Sequence, residues 1–136
     1  MKVLVDTCIW SYALRKNNSK HINFTHELSE LIKESRVEII GAIRQETLSG
    51  IKENNQFKAI KQGLSSFPDA LVSQQDYELA AELFNQARSK GIQGANTDFL
   101  ICAVSLNHDF SIFTNDKDFE HLKKHIPIHL HQLRNL

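Results

Sequence analysis

Three acidic residues follow predicted strands and a fourth begins a predicted helix, an arrangement that could place their carboxylates together. Asp6 directly follows a short apolar run, Glu46 lies three residues beyond a second such run, and Asp116 lies two residues beyond a third. If these runs are parallel β-strands, their carboxyl ends share one rim of the sheet, where α/β proteins bind ligands. Asp98 opens an apolar helix, and we place it at the same rim. Asp69 and Asp109 precede predicted strands and belong to the opposite rim.

Carboxylates that converge on one point repel each other, and their pKa values rise unless a cation lies among them. Ligation by oxygen alone favours Mg²⁺ or Mn²⁺. Such an ion polarises a phosphodiester and activates a water without any Ser, Cys or His nucleophile. On spacing alone, a second interpretation stays open, in which each acid is a helix cap or a solvated loop residue.

The elements that would position these acids alternate along the whole chain. Apolar runs predict strands at 1–6, 37–43, 70–72, 111–114 and 128–130. Helical spacing predicts helices at 7–14, 25–34, 44–51, 57–67, 74–91, 99–106 and 118–124, with Thr25 capping the second helix and Asn96 or Thr97 the sixth. This alternation predicts an α/β fold, a three-layer α/β/α sandwich with a four- or five-stranded parallel sheet.

Composition limits the class of protein. The chain has 136 residues, which predicts one domain over 1–136, with 16 basic and 16 acidic residues. A neutral chain does not hold nucleic acid by net charge alone, so a phosphate-rich partner must be gripped locally. Cys8 and Cys102 are interpreted as small buried hydrophobic residues. No apolar run is long enough for a membrane span or a signal peptide, so we expect a soluble, cytoplasmic protein without membrane contact.

Four stretches together resemble the PIN-domain ribonucleases, and most closely the VapC toxins of toxin–antitoxin pairs. The first is Val-Leu-Val-Asp6-Thr7, and the second is Arg-Gln-Glu46-Thr-Leu-Ser-Gly50. The third is Asn96-Thr-Asp98 before Phe-Leu-Ile-Cys-Ala, and the fourth runs from Ile112 through Thr114 and Asp116 to Phe119. Each motif alone has little specificity, but the ordered set spans almost the whole chain.

The resemblance implies a metal-dependent endoribonuclease that leaves a 5′-phosphate and a 3′-hydroxyl. By position, Asp6, Glu46, Asp98 and Asp116 would be the catalytic ligands of Mg²⁺ or Mn²⁺, with Asp118 the alternative to Asp116. The Thr114 hydroxyl and Thr7 would support the ligands. Cys8 departs from the Asn or Ser that is common at this place in the family. The resemblance also implies a homodimer, a cognate antitoxin, and a transfer, ribosomal or messenger RNA as substrate.

Substrate phosphates need cations near the acids, and the sequence offers Arg15, Lys16, Arg44 and Lys117. Trp10 and Tyr12 could stack on bases, although a Trp on the first helix is more often part of the core. Two histidine pairs, His121 with His125 on a helix and His129 with His131 on a strand, are interpreted as solvated surface residues and not as a zinc site, because no HExxH glutamate or cysteine accompanies them.

Other functional classes fit less well. A haloacid-dehalogenase-like domain needs a second Asp where Cys8 stands, and no phosphate-binding glycine motif follows a strand. A flap nuclease acting on DNA needs insertions for which this chain has no room. A catalytically silent PIN-like module, which binds RNA or assembles with partners, stays as the alternative, and retention of all four acids speaks against it.

Overall fold

A three-stranded parallel sheet lies at the centre of the fold. The structure is a computed structural model that describes residues 1–15 and 19–134. The strands are β1 (Val3–Val5), β2 (Val37–Glu38) and β3 (Ser111–Phe113), in the order β2-β1-β3. Every residue of β1 and β3 is buried. The sequence that begins the chain therefore forms the middle of the sheet, as a continuous apolar run predicts for a strand covered on both faces.

Seven helices and a short 3₁₀ turn, at Ser19–His21, connect and cover the strands within the described residues. The helices are α1 (Thr7–Leu14), α2 (Ile22–Lys33), α3 (Gly41–Leu48), α4 (Asn54–Leu64), α5 (Gln74–Ser89), α6 (Asn96–His108) and α7 (Lys117–Lys123). Helix α1 packs against α2 and α3, while α5 packs against α6. Residues 99–105 of α6 are all buried, which makes α6 the central helix that its apolar sequence predicts. The α/β fold class with a parallel sheet is confirmed.

The predicted number of strands was wrong, because two predicted strands form only single bridges. In the segment 70–72, Ala70 N donates to Ile39 O (2.8 Å), but Leu71 is 84% exposed and the chain leaves the sheet. In the segment 128–130, only Leu130 bridges Ile112. Pro68 and Pro127 precede these segments and lack the backbone N–H that a longer ladder would need.

Several predicted element boundaries also differ; the fourth helix, for example, runs from Asn54 to Leu64 and not over 57–67. The second strand ends at Glu38, and α3 starts at Gly41 because Ile40 O accepts the first helical hydrogen bonds from Ile43 and Arg44. Helix α2 starts at Ile22, and the Thr25 hydroxyl bonds Ile22 O inside its first turn. The cap of α6 is made by the Asp98 carboxylate, which accepts from Ala95 N (3.1 Å), and not by a side chain at 96 or 97.

A buried carboxylate ties α5 to α6. Asp76 is 1% exposed and accepts hydrogen bonds from Ser73 N (2.9 Å), Asn107 Nδ2 (2.8 Å) and His108 Nε2 (3.0 Å). Burial alone raises the pKa of Asp76, but these hydrogen bonds outweigh it and lower the pKa to about 2. The ionised form of Asp76 is therefore part of the folded state.

Acid should weaken the fold through Asp76. Its pKa lies near 3.8 unfolded and about 2 folded, so its contribution is complete above pH 4 and is lost as the pH falls toward 2. The difference corresponds to about 2 kcal/mol. Urea unfolding across this range should show a shallower pH dependence for Asp76→Asn than for the wild type. The exposed Glu82→Gln on the same helix is the control, and an unchanged slope in Asp76→Asn would contradict the assignment.

Candidate metal centre

The carboxyl ends of β1 and β3 are joined at Asp6. Asp6 N donates to Phe113 O (2.9 Å), and the Thr114 hydroxyl donates to Asp6 Oδ2 (2.8 Å). Thr7 N donates to Asp6 Oδ1 (2.8 Å), so Asp6 also caps α1. The Asp6 side chain is thus held from both strands and from the helix that follows, and the residue is only 6% exposed.

The end of β3 continues directly into two further acids. Asp116 N donates to Thr114 Oγ1 (3.0 Å), so the same hydroxyl contacts Asp6 and positions the backbone of Asp116. Asp116 caps α7 by accepting from Asp118 N (3.0 Å). Asp116 and Asp118 are both exposed.

Five carboxylates influence one another at this edge of the sheet, and we call them the acidic rim: Asp6, Glu46, Asp98, Asp116 and Asp118. Burial raises the pKa of Asp6; hydrogen bonds from Thr114 and Thr7 oppose that rise, and the charges of Glu46 and Asp116 add to it. The pKa of Asp98 is raised to about 6. Burial is the main cause, and the charges of Asp6, Asp116 and Asp118 raise it further, while the hydrogen bond from Ala95 lowers it. The structure therefore places the predicted acids near enough for their charges to act on one another, but their carboxylates do not converge on one point.

No described cation pairs with the acidic rim, which distinguishes it from the other buried carboxylates. Glu27 is 3% exposed and binds Arg134 and His131, and Asp76 binds His108. Asp6 is nearly as buried, but within residues 1–15 and 19–134 it has only hydroxyl, thiol and backbone partners. A buried carboxylate without a compensating charge is costly, so the rim is suited to an external cation.

The acidic rim has the oxygen ligands that a hard divalent cation prefers, but its carboxylates lie too far apart to bind one ion together. Among the described residues, no three His, Cys, Asp or Glu side chains are close enough together to hold one ion. The exposed side chains of Glu46, Asp116 and Asp118 would have to turn toward Asp6 and Asp98. One further polar atom lacks a partner: Thr7 Oγ1, next to Asp6, is the only buried side-chain oxygen or nitrogen of the described chain without a hydrogen bond.

Cys8 lies next to this centre, and the prediction that it is a buried hydrophobic residue holds only in part: it packs against the core but is not fully buried. It is half-buried, its Sγ lies 3.8 Å from Asp6 Oδ2 and 3.7 Å from Thr114 Oγ1, and Asn115 N donates to it (3.4 Å). Burial and the charge of Asp6 raise the pKa of the thiol, so Cys8 stays protonated. Cys102, by contrast, is fully buried, as predicted.

Comparison with known proteins agrees with this geometry. The sequence model of the PIN domain matches residues 3–125. The chain belongs to the PIN domain family. No curated protein sequence matches it.

Several solved structures share the fold of this PIN domain. It is similar to a chain of VapBC2 from Rickettsia felis bound to a promoter DNA fragment, with a TM-score of 0.76, 23% identity, and coverage of 96% of this chain and 98% of that one. It is also similar to a chain of FitAcB from Neisseria gonorrhoeae, with a TM-score of 0.74, 18% identity, and coverage of 98% and 99%. For a chain of VapBC-1 from nontypeable Haemophilus influenzae, the TM-score is 0.74, the identity is 16%, and 98% of each chain is covered. The resemblance to VapC-like PIN domains therefore holds for the fold.

The cations predicted to hold substrate are not equivalent in this PIN domain. Lys117 begins α7 beside Asp116 and is exposed, and Arg15 is exposed at the end of α1. Lys16 lies outside the described residues. Arg44 is the exception, because its guanidinium donates to Asp69 Oδ1 (3.0 Å), to Leu64 O (3.1 Å) and to Phe67 O.

Arg44 is therefore a structural residue, which the sequence could not show. It satisfies the Phe67 carbonyl beyond the end of α4 and gives a second donor to Leu64 O, which also accepts from Phe67 N. We expect Arg44→Ala to lower the free energy of unfolding by about 2 kcal/mol in chemical denaturation, with unchanged RNA affinity at temperatures where it is folded. Lys117→Ala is the matched control. It should weaken RNA binding and leave the free energy of unfolding unchanged. A folded Arg44→Ala with much weaker RNA binding would restore the original prediction.

The predicted stacking residues also differ from each other. Trp10 is 2% exposed, and its indole N–H donates to Val5 O (3.1 Å), so it is part of the core of the PIN domain. Tyr12 is half-buried, and its ring stacks on His21 at a centroid distance of 3.7 Å.

Among the described residues, no helix is both long and apolar enough to cross a membrane.

Proposed function

We propose that this PIN domain is a divalent-metal-dependent endoribonuclease that acts as the toxin of a toxin–antitoxin pair. The observation that carries the proposal is the acidic rim, in which five carboxylates share one edge of the sheet without a described cation. Membership of the PIN domain family supports a nuclease. The similarity in fold to chains of VapBC complexes supports the toxin role.

Asp6, Glu46, Asp98 and Asp116 would hold Mg²⁺ or Mn²⁺. Asp116 is favoured over Asp118 as the fourth ligand, because its backbone N–H donates to the same Thr114 hydroxyl that holds Asp6, and its charge acts on both Asp6 and Asp98. When bound, such an ion polarises the phosphodiester and lowers the pKa of a coordinated water, which makes a hydrolytic nucleophile available near neutral pH.

The chain itself contributes orientation. Thr114 and Thr7 fix both oxygens of Asp6, and the Ala95 N–H fixes Asp98 Oδ2. Asp98 Oδ1 has no hydrogen-bond donor among the described residues, so this oxygen is the one available to a cation. The buried Thr7 hydroxyl, next to Asp6 in the sequence, has no hydrogen-bond partner among the described residues. These fixed groups reduce the reorganisation that binding requires.

The partners follow from the same family. We propose that residues 1–136 form one domain that pairs as a homodimer and is neutralised by a cognate antitoxin in the cytoplasm. The support is the similarity of almost the whole chain to chains of the VapBC and FitAcB structures. The substrate would be a transfer, ribosomal or messenger RNA.

The test is cleavage of end-labelled structured RNA by the wild type and by Asp98→Asn, with Mg²⁺, with Mn²⁺ and with EDTA. We expect cuts that need the metal, that leave a 5′-phosphate and a 3′-hydroxyl, and that disappear in Asp98→Asn. If both proteins were inert with every metal but still bound RNA or a partner, the protein would be a binding module and the nuclease proposal would fail.

A further inference from the structure

A cavity of about 240 Å³ opens next to the acidic rim. It lies between α2, the end of β3, the start of α7 and the segment 130–133. Thr114 and Asp116 contribute to its wall, so the cavity is continuous with the centre that holds the acids. We call it the aromatic cavity, after the ring of Phe24 that forms part of it.

Phe24 is held by other rings. Its ring is half-buried, with centroid distances of 6.1 Å to Phe113 and 5.9 Å to Tyr12. Tyr12 is in turn fixed by stacking on His21 and by a hydrogen bond from Asn115 Nδ2 to its hydroxyl (3.1 Å). The aromatic surface is therefore organised before any ligand binds.

The opposite side of the cavity is fixed by a buried hydrogen bond between His131 and Glu27, so the prediction that His131 is a solvated surface residue was wrong. His131 lines the cavity, lies edge-on to the Phe113 ring at 5.4 Å, and contacts Glu27 Oε2 at 2.5 Å. Beside it, Gln132 supplies an exposed amide, and Lys117 supplies an exposed ammonium group on the side of Asp116.

We propose that the aromatic cavity is a nucleobase subsite, which takes the base of a nucleotide next to the phosphate that is cut. This inference rests on the proposed nuclease function. The ring of Phe24 matches the face of a base, the amides of Asn115 and Gln132 match hydrogen-bonding groups on its edge, and Lys117 matches a flanking phosphate. A single-stranded RNA offers these three features together.

Binding tests the subsite without cleavage. The protein would be Asp98→Asn, and the probe a short single-stranded RNA that carries 2-aminopurine at each position in turn. Stacking on Phe24 should quench the fluorescence at one position, and Phe24→Leu should restore it and weaken binding roughly 5- to 150-fold. Leu retains an apolar contact with Phe113 but lacks the aromatic face. Tyr77→Leu, an exposed aromatic residue on α5, is the matched control and should change nothing.

Cleavage of an RNA pool with a randomised stretch gives the second readout. The wild type should prefer certain bases at one position beside the cut, and Phe24→Leu and Gln132→Ala should relax that preference while cutting continues. Cutting by Phe24→Leu with the wild-type preference and wild-type affinity would overturn the subsite and leave the nuclease intact. If the wild type cut nothing, the nuclease proposal would fail, and position-specific quenching that depends on Phe24 would still decide the subsite.

Discussion

Asp6→Asn is expected to remove cleavage, with activity at least about a thousandfold below the wild type. The substitution takes away the most buried charge of the acidic rim and keeps its shape. The new amide can still accept from Thr7 N and can donate to the Thr114 hydroxyl. Since burial and the charges of Glu46 and Asp116 raise the pKa of Asp6, the loss of this charge also relieves repulsion. In metal-free buffer the variant should be as stable as the wild type or more stable.

Cleavage and thermal unfolding in EDTA would be measured on the same preparations. Asp109→Asn is the matched control, because Asp109 stands before β3 at the opposite rim in a left-handed conformation (φ 58°) that Asn tolerates. It should leave both activity and stability near the wild-type values. An active Asp6→Asn, or one that unfolds many degrees below the wild type, would contradict the role given to the acidic rim.

Glu27→Ala should destabilise the fold by about 3 kcal/mol, the largest loss of stability that we expect from a charged side chain. Glu27 is 3% exposed, and one of its oxygens accepts from both His131 Nε2 and Arg134 Nε (2.7 Å). These contacts hold the segment after β3 and α7 against α2. Without the carboxylate, His131 loses its partner inside the fold.

Chemical denaturation of Glu27→Ala and Glu34→Ala would separate burial from charge. Glu34 also binds Arg134, but it is exposed, so Glu34→Ala should change stability little. Glu27→Ala should also lose the quenching signal in the aromatic cavity, since His131 forms part of its wall. Equal losses of stability in the two variants would show that the buried position of Glu27 contributes nothing further to the stability of the fold.

The local sequence was sufficient to predict the elements nearest the centre. Residues 7–14 form α1 with the predicted bounds, because Asp6 can cap a helix as soon as β1 ends. The apolar surface of α6 predicted its central position. The placement of Asp6 after the first strand follows from the same short pattern, while its role as a metal ligand stays a prediction.

Contacts between distant residues could not be predicted in this way. The partners of Arg44 are two carbonyl groups and a carboxylate 20 to 25 residues further along the chain, and backbone carbonyls leave no mark in the sequence. Glu27 and His131 are 104 residues apart. The aromatic cavity forms only where α2, β3 and the segment 130–133 meet. The strands predicted at 70–72 and 128–130 were wrong because a pattern of three residues cannot distinguish a hydrogen-bonded ladder from a single bridge.

The order of the strands has a consequence for biosynthesis. The central strand β1 is made more than a hundred residues before its neighbour β3, and Asp6 meets Thr114 across 108 positions. Pairing across so long a loop is slow and late in folding. A nascent chain that has not reached residue 111 has neither β3 nor Thr114 and Asp116 to complete the centre. Under the proposed function, this order withholds the complete acidic rim from the ribosome until Asp116 has been made.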